Sequence, residues 1–188
     1  MSRSERKSVF QIQTIESAPE GSKVPLERLQ RTFGMVPNIA GVIANSPVLA
    51  NIFVDLFEGV HGGTLTEAEI QTVLLTNAVT NASTWAVAFH SVLAQKQGLD
   101  SADVHAIREG RTPLAPRYAA LSVFARNLIE KRGHVGEEAI TAFRSAGFKP
   151  EQALEVLAVS AASTITNYAG SIAEPPVEPM FQEQVWRA

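Results

Sequence analysis

There is no cysteine anywhere in the 188 residues. Disulfides, thiolate-bound metals and thiol nucleophiles are thereby excluded. Long apolar runs are missing as well: none approaches the roughly 18 residues that cross a bilayer. The basic residues Arg3, Arg6 and Lys7 are followed by no apolar segment of signal-peptide length, so a cytoplasmic protein is expected. Nor is there an excess of positive charge. At a net charge of −3 there is no electrostatic case for binding nucleic acid or an anionic membrane. His61, His90, His105 and His134 include no pair at the i, i+4 spacing of a helical metal site, so no metal is expected. No motif points to a cofactor.

What is present is the composition of an ordinary globular protein, 45% hydrophobic and 19% charged, with length enough for one well-cored domain. Almost every periodic stretch is helical. Ser46-Pro47 is an N-cap followed by proline at the first helical position. The helix it opens carries Leu49, Ile52, Phe53, Leu56 and Phe57 at 3,4 spacing. Thr66 and Glu69 form a capping-box signature for the next helix, with Ile70, Val73, Leu74 and Ala78 toward a core. Further helices are expected from Leu26 to Phe33, Pro37 to Ala44, Ser101 to Arg108, Arg117 to Lys131, Gly136 to Ala146 and Pro150 to Ile172. The fold class is therefore all-α, packed antiparallel helices. Residues 1–25 are expected to form an extended arm, with "APEGSKVP" as a turn-rich connector. Residues 26–174 form the helical domain, and 175–188 an extended tail after "AEPPVEP". "ANIFVDLFE" resembles "LSVFARNLI", which leaves open two related halves.

Two helical patterns meet at Asn81-Ala82-Ser83. The second begins at Ser83 and runs to about Gln97. Ser83, Ala86 and His90 are spaced i, i+3, i+7 and share a helix face. Ser83 is a good N-cap, its hydroxyl able to accept from an otherwise unpaired amide. As a nucleophile it would need a base in reach, and His90 lies roughly 10 Å further along the axis.

The segment "NASTWAVAFHSVLAQKQGLD" resembles the core of the AhpD-like, carboxymuconolactone decarboxylase family. "FQIQTIESAPEGSK", "FGMVPNIAGVIANSPVL", "ALSVFARNLIEKRGHV" and "NYAGSIAEPPVEPMF" are similar to its longer members. In redox-active members the core reads Glu, eleven residues, Cys-x-x-Cys, three residues, His. On that pattern Gln71 takes the glutamate position, Ser83 and Ala86 the cysteine positions, and His90 the histidine position. The resemblance implies a proton-shuttling role for the histidine. A buried imidazole with a polar partner is the structural alternative. Gln71 keeps the shape of a glutamate but takes no proton. Glu67, one turn earlier on the same face, is a candidate substitute base or a first-turn acid complementing the helix dipole. Asn167-Tyr168 matches an Asn-Tyr pair of the longer members, but Gly170 and Ser171 stand where Asn-His usually follows.

The resemblance implies an alkylhydroperoxidase-type antioxidant family. The residues imply a redox-silent member, because turnover there runs through a sulfenic acid and a disulfide. The alternatives are a thiol-independent, decarboxylase-like lyase using His90, or a non-catalytic small-ligand binder. A homo-oligomer, a dimer or a trimer of dimers, is expected from the resemblance, from the apolar faces of the helix at 150–172, and from Met180, Phe181 and Trp186 in the tail.

Overall fold

The computed structural model describes residues 9–187, so the first eight positions of the expected arm and the final residue lie outside the described chain. The described residues form α1 (Glu20–Phe33), α2 (Asn38–Ile43), α3 (Pro47–Val60), α4 (Glu67–Thr80) and α5 (Thr84–Lys96). After these come α6 (Ser101–Arg108), α7 (Pro116–Glu130), α8 (Glu137–Ser145), α9 (Pro150–Ala173) and a short 3-10 helix, Pro179–Gln184. There is no strand among the described residues. The fold is all-α.

The organising element is α4. Its N-terminus is set by the capping box, with Thr66 Oγ1 accepting from the Glu69 amide and Glu69 returning a bond to the Thr66 amide. From Glu69 to Ala78 every residue is buried, not only one face. That requires each polar side chain to find a partner inside. Thr72 donates to Ala68 O, Thr76 shares a bond with Ser122, Asn77 donates to Ser160, and Gln71 meets His90. Glu69 is 3% exposed and is held by the Arg117 guanidinium at 2.5 Å. On one side of α4 lies a core built from α1, α2, α3, α5 and α6 around Leu26, Ile43, Phe53, Leu75 and Val87. On the other, Ile70 and Val73 join Leu121, Phe124, Phe143 and Val156 from α7, α8 and α9.

Two expectations are corrected here. The connector "APEGSKVP" is helical from Glu20, where α1 begins, with Pro25 inside the helix. Proline there withdraws the amide that would bond Gly21 O, and Asn51 Nδ2 from α3 donates to that carbonyl instead, at 2.9 Å. Tertiary contact thus repairs what local sequence forbids. The tail is not simply extended either. Its 3-10 helix packs on α5, Phe181 is buried against Phe89 (5.2 Å between centroids), and Trp186 Nε1 donates to Arg108 O. The tail aromatics are therefore covered by their own chain and give no reason to expect a second subunit.

Candidate functional site

The turn between α4 and α5 closes with Ala82 in the left-handed region (φ 52°) and the Ser83 amide bonded back to Ala78 O. This geometry ends one helix and aims the next. Ser83 occupies the N-cap position of α5, yet its side chain caps nothing. Its Oγ is buried without a hydrogen-bond partner, turned toward α9 where a Cβ on Gly170 would sit 3.4 Å away. The N-cap expectation is thus met in backbone position and not in bonding. Around Ser83 lies an open hollow with Thr84, Trp85, Gly170, Ser171, Glu174 and Arg187. Ala86 is fully buried in the core. Trp85 stacks on Phe89 and donates its indole N–H to Glu178 Oε2 at 2.9 Å; Glu178 also accepts from the Asn38 amide at 2.6 Å.

His90 belongs to a different hollow. A cleft of about 430 Å³ is lined by His61, Glu67, Gln71 and His90 together with Phe33, Phe57, Phe89 and Leu93. His90 is 6% exposed, and its Nδ1 lies 3.0 Å from Gln71 Oε1. Since the amide oxygen only accepts, Nδ1 carries the proton and Nε2 is the unprotonated nitrogen. Burial, and secondarily the charge of His61, push the His90 pKa down to about 3. A glutamate at position 71 would offset the burial by offering a negative charge; the neutral amide of Gln71 does not. His90 is therefore a neutral imidazole across the physiological range.

Glu67 bonds His61 rather than His90. Both of its carboxylate oxygens lie within 3.0 Å of His61 Nδ1. His61 caps the C-terminal end of α3, beside the Gly62-Gly63 break. It is part of the cleft, and its Nε2 is buried with no partner. The two ring nitrogens of His61 thus differ, one held by a carboxylate and the other buried without a partner. Sequence reasoning missed His61 because it precedes Glu67 across the Gly62-Gly63 break, outside any helical spacing. The one available signal was a histidine six residues before an acid already singled out. Phe33, the end of one expected helix, and Phe57, on the apolar face of another, are brought together on one cleft wall.

A smaller apolar hollow of about 40 Å³, lined by Leu29, Ile39, Phe53, Leu74, Ser163 and Thr166 among others, shares Phe33, Phe57, Phe89 and His90 with the cleft. Among the described residues no group of three or more His, Cys, Asp or Glu is placed to hold a metal ion, and no helix is long and apolar enough to cross a membrane.

No known family profile matches the sequence, and no curated protein does. Solved structures do match. A cysteine-to-alanine variant of the debrominase Bmp8, in complex with 2,3,4-tribromopyrrole, superimposes with a TM-score of 0.80 at 16% identity, covering 95% of this chain and 96% of that one. The AhpD-core, peroxidase-related protein of Ralstonia eutropha JMP134 gives 0.78 at 18% identity, covering 93% and 94%. The peroxidase-related protein of Silicibacter sp. TM1040 gives 0.78 at 17%, covering 98% of each chain. The chain has the AhpD-like fold over nearly its whole length.

Proposed function

We propose that this chain is a thiol-independent, redox-silent protein of AhpD-like fold whose cleft performs acid–base chemistry on a small molecule. Fold alone does not choose the reaction, since the fold's neighbours include peroxidase-related proteins and a debrominase. The residues narrow it. Without cysteine there is no sulfur nucleophile and no resolving partner for peroxide turnover.

The observation that carries the reading is the His61–Glu67 pair beside a neutral His90 in one cleft. Glu67 fixes the His61 tautomer, with Nδ1–H toward the carboxylate, and stabilises the imidazolium once Nε2 has taken a proton. His90, held by Gln71, offers Nε2 as a hydrogen-bond acceptor that stays uncharged. In this assignment His61 moves the proton and His90 orients the reacting molecule.

The test is a panel of small carbon acids (cyclic ketones, lactones and ring alcohols with activated C–H bonds) incubated in D2O and read by NMR for deuterium uptake. Enzymatic exchange should fall about 100-fold or more in His61→Asn. An alkyl-hydroperoxide assay with a dithiol reductant should show no turnover. Multiple turnovers there would overturn redox silence. Absence of exchange across the panel would favour the second reading, a non-catalytic ligand-binding protein. That reading draws support from a His90 too acidic to exchange protons near neutrality.

We also propose a homo-oligomer, a dimer or a trimer of dimers, through the outer face of α9. Leu154, Leu157, Tyr168 and Ile172 are each more than half exposed along it. A stable monomer of about 20 kDa in light scattering at micromolar concentration would exclude this assembly.

A further inference from the structure

The wall of the cleft is a run of rings with a histidine at either end. His61 meets Phe57 edge-on at 4.7 Å between centroids, and Phe57 tilts on Phe33 at 5.5 Å. Phe33 meets Phe89 edge-on at 5.4 Å, and Phe89 meets His90 edge-on at 5.2 Å. These side chains come from α1, α3, α5 and the α3–α4 connection, so no stretch of sequence contains the arc.

The charges are as one-sided as the rings. Besides His61 and the neutral His90, the ionisable side chains lining the cleft are Glu58 and Glu67, while Thr32, Gln71 and Gln97 add neutral polar groups. Among the described residues no lysine or arginine lines it. The guanidinium beyond Glu58 is that of Arg28, and it is fully engaged. Its Nε and one terminal nitrogen bond Glu58 at 2.9 and 2.6 Å, and the other terminal nitrogen bonds Asp55 at 2.7 Å. Arg31 reaches Glu58 only through space and is exposed. His61 is paired with Glu67, both carboxylate oxygens lying within 3.0 Å of its Nδ1.

Ring faces present negative charge density, which draws planar rings and cations. A carboxylate entering here would shed water without meeting a free cation, since the nearby cationic groups are already paired with Glu58 and Glu67. We infer that the cleft selects uncharged or cationic molecules built on a planar ring, such as aromatic alcohols, amines and N-heterocycles, and rejects carboxylates. This deepens, and rests on, the reading of the cleft as the functional site. It also parts the chain from the carboxylated lactones that the decarboxylase resemblance implies.

Three probes with one ring and different charge test it: benzylammonium, benzyl alcohol and benzoate. Each is titrated into the full-length protein at pH 7.5, and the imidazole C–H resonances of His61 and His90 are followed by NMR, assigned with His61→Asn and His90→Gln. Benzylammonium and benzyl alcohol should shift both imidazoles, with an apparent affinity at least tenfold above that of benzoate. Phe57→Leu should weaken both. Glu67→Gln should narrow the preference for benzylammonium over benzoate at least threefold; as a near-isosteric change at a side chain 43% exposed, it keeps the test intact should Phe57→Leu fail to fold. Benzoate binding at the two imidazoles as tightly as the others would overturn the charge selection while leaving the cleft a ligand site. No shift with any probe would overturn both the selection and the cleft's role.

Discussion

The two ends of α5 carry one motif in the sequence and two different environments in the molecule. At the N-terminal end, Ser83 and Trp85 are bound into the scaffold: the serine is wedged under α9, and the indole is tied to Glu178 of the tail. Toward the other end, His90 looks onto a cleft of rings and acid–base groups, bonded to Gln71 and in the field of His61. Between them Ala86 contributes only a buried methyl. In the redox pattern that the sequence resembles, the intervening positions are sulfurs that connect histidine to nucleophile. With serine and alanine there, nothing chemical links the two ends. The Ser83 end is bound into the scaffold, and the His90 end opens onto the cleft.

That division predicts where substitutions act. The largest effect of a single substitution near neutral pH belongs to the Ser83 end. Trp85→Phe removes the indole N–H from Glu178, a carboxylate only 5% exposed. It should cost about 3 kcal/mol in urea denaturation, because a buried charge loses a partner and the ring shrinks. A loss below about 0.5 kcal/mol would show that the tail is not locked through this bond.

At the other end the signature is pH dependence. The folded pKa of His90 lies near 3, below its unfolded value near 6.5, so the unfolded chain binds a proton that the folded chain refuses. This contribution is complete above about pH 6.5 and is lost as pH falls toward 3, at about 1.4 kcal/mol per pH unit. His90→Gln should flatten the stability profile over that window by one proton. An unchanged slope would mean that His90 titrates normally.

Smaller effects sharpen the comparison further. Gly170→Ala places a methyl at ordinary contact distance from Ser83 Oγ and Ile39 Cδ1, 3.4 and 3.8 Å. Better helix propensity should then stabilise the protein by about 0.5–1 kcal/mol in thermal denaturation. Destabilisation would show that the space beside Ser83 is needed. Ser83→Ala should be nearly neutral. A capping serine costs about 1 kcal/mol on removal, but this hydroxyl caps nothing and has no partner. A loss of that size would restore the capping role.

Most helices were legible because their signals are local. Ser46-Pro47, the Thr66/Glu69 box, and the glycines after α1 and α8 act within one turn of chain. The start of α1 was not legible. Pro25 frees the Gly21 carbonyl, and Asn51, 30 residues beyond Gly21, bonds it. The cleft was half legible. Gln71 and His90 came from the family spacing, and Glu67 from lying one turn before Gln71 on the same helix face. His61 and the rings of Phe33 and Phe57 did not, since nothing in their own neighbourhoods distinguishes a cleft wall from a core.

What the sequence determined by itself was the class of structure and one chemical exclusion: helices in order, and no sulfur chemistry, because periodicity is local and an absent atom reacts in no fold. Which groups stand together was left to tertiary structure. Helix packing gave Glu67 to His61 instead of His90, and buried His90 deeply enough to hold it neutral. The same packing bent aromatic residues from three helices into one wall. Pairing, burial and charge balance depend on distances between elements, and those are set only when the helices pack.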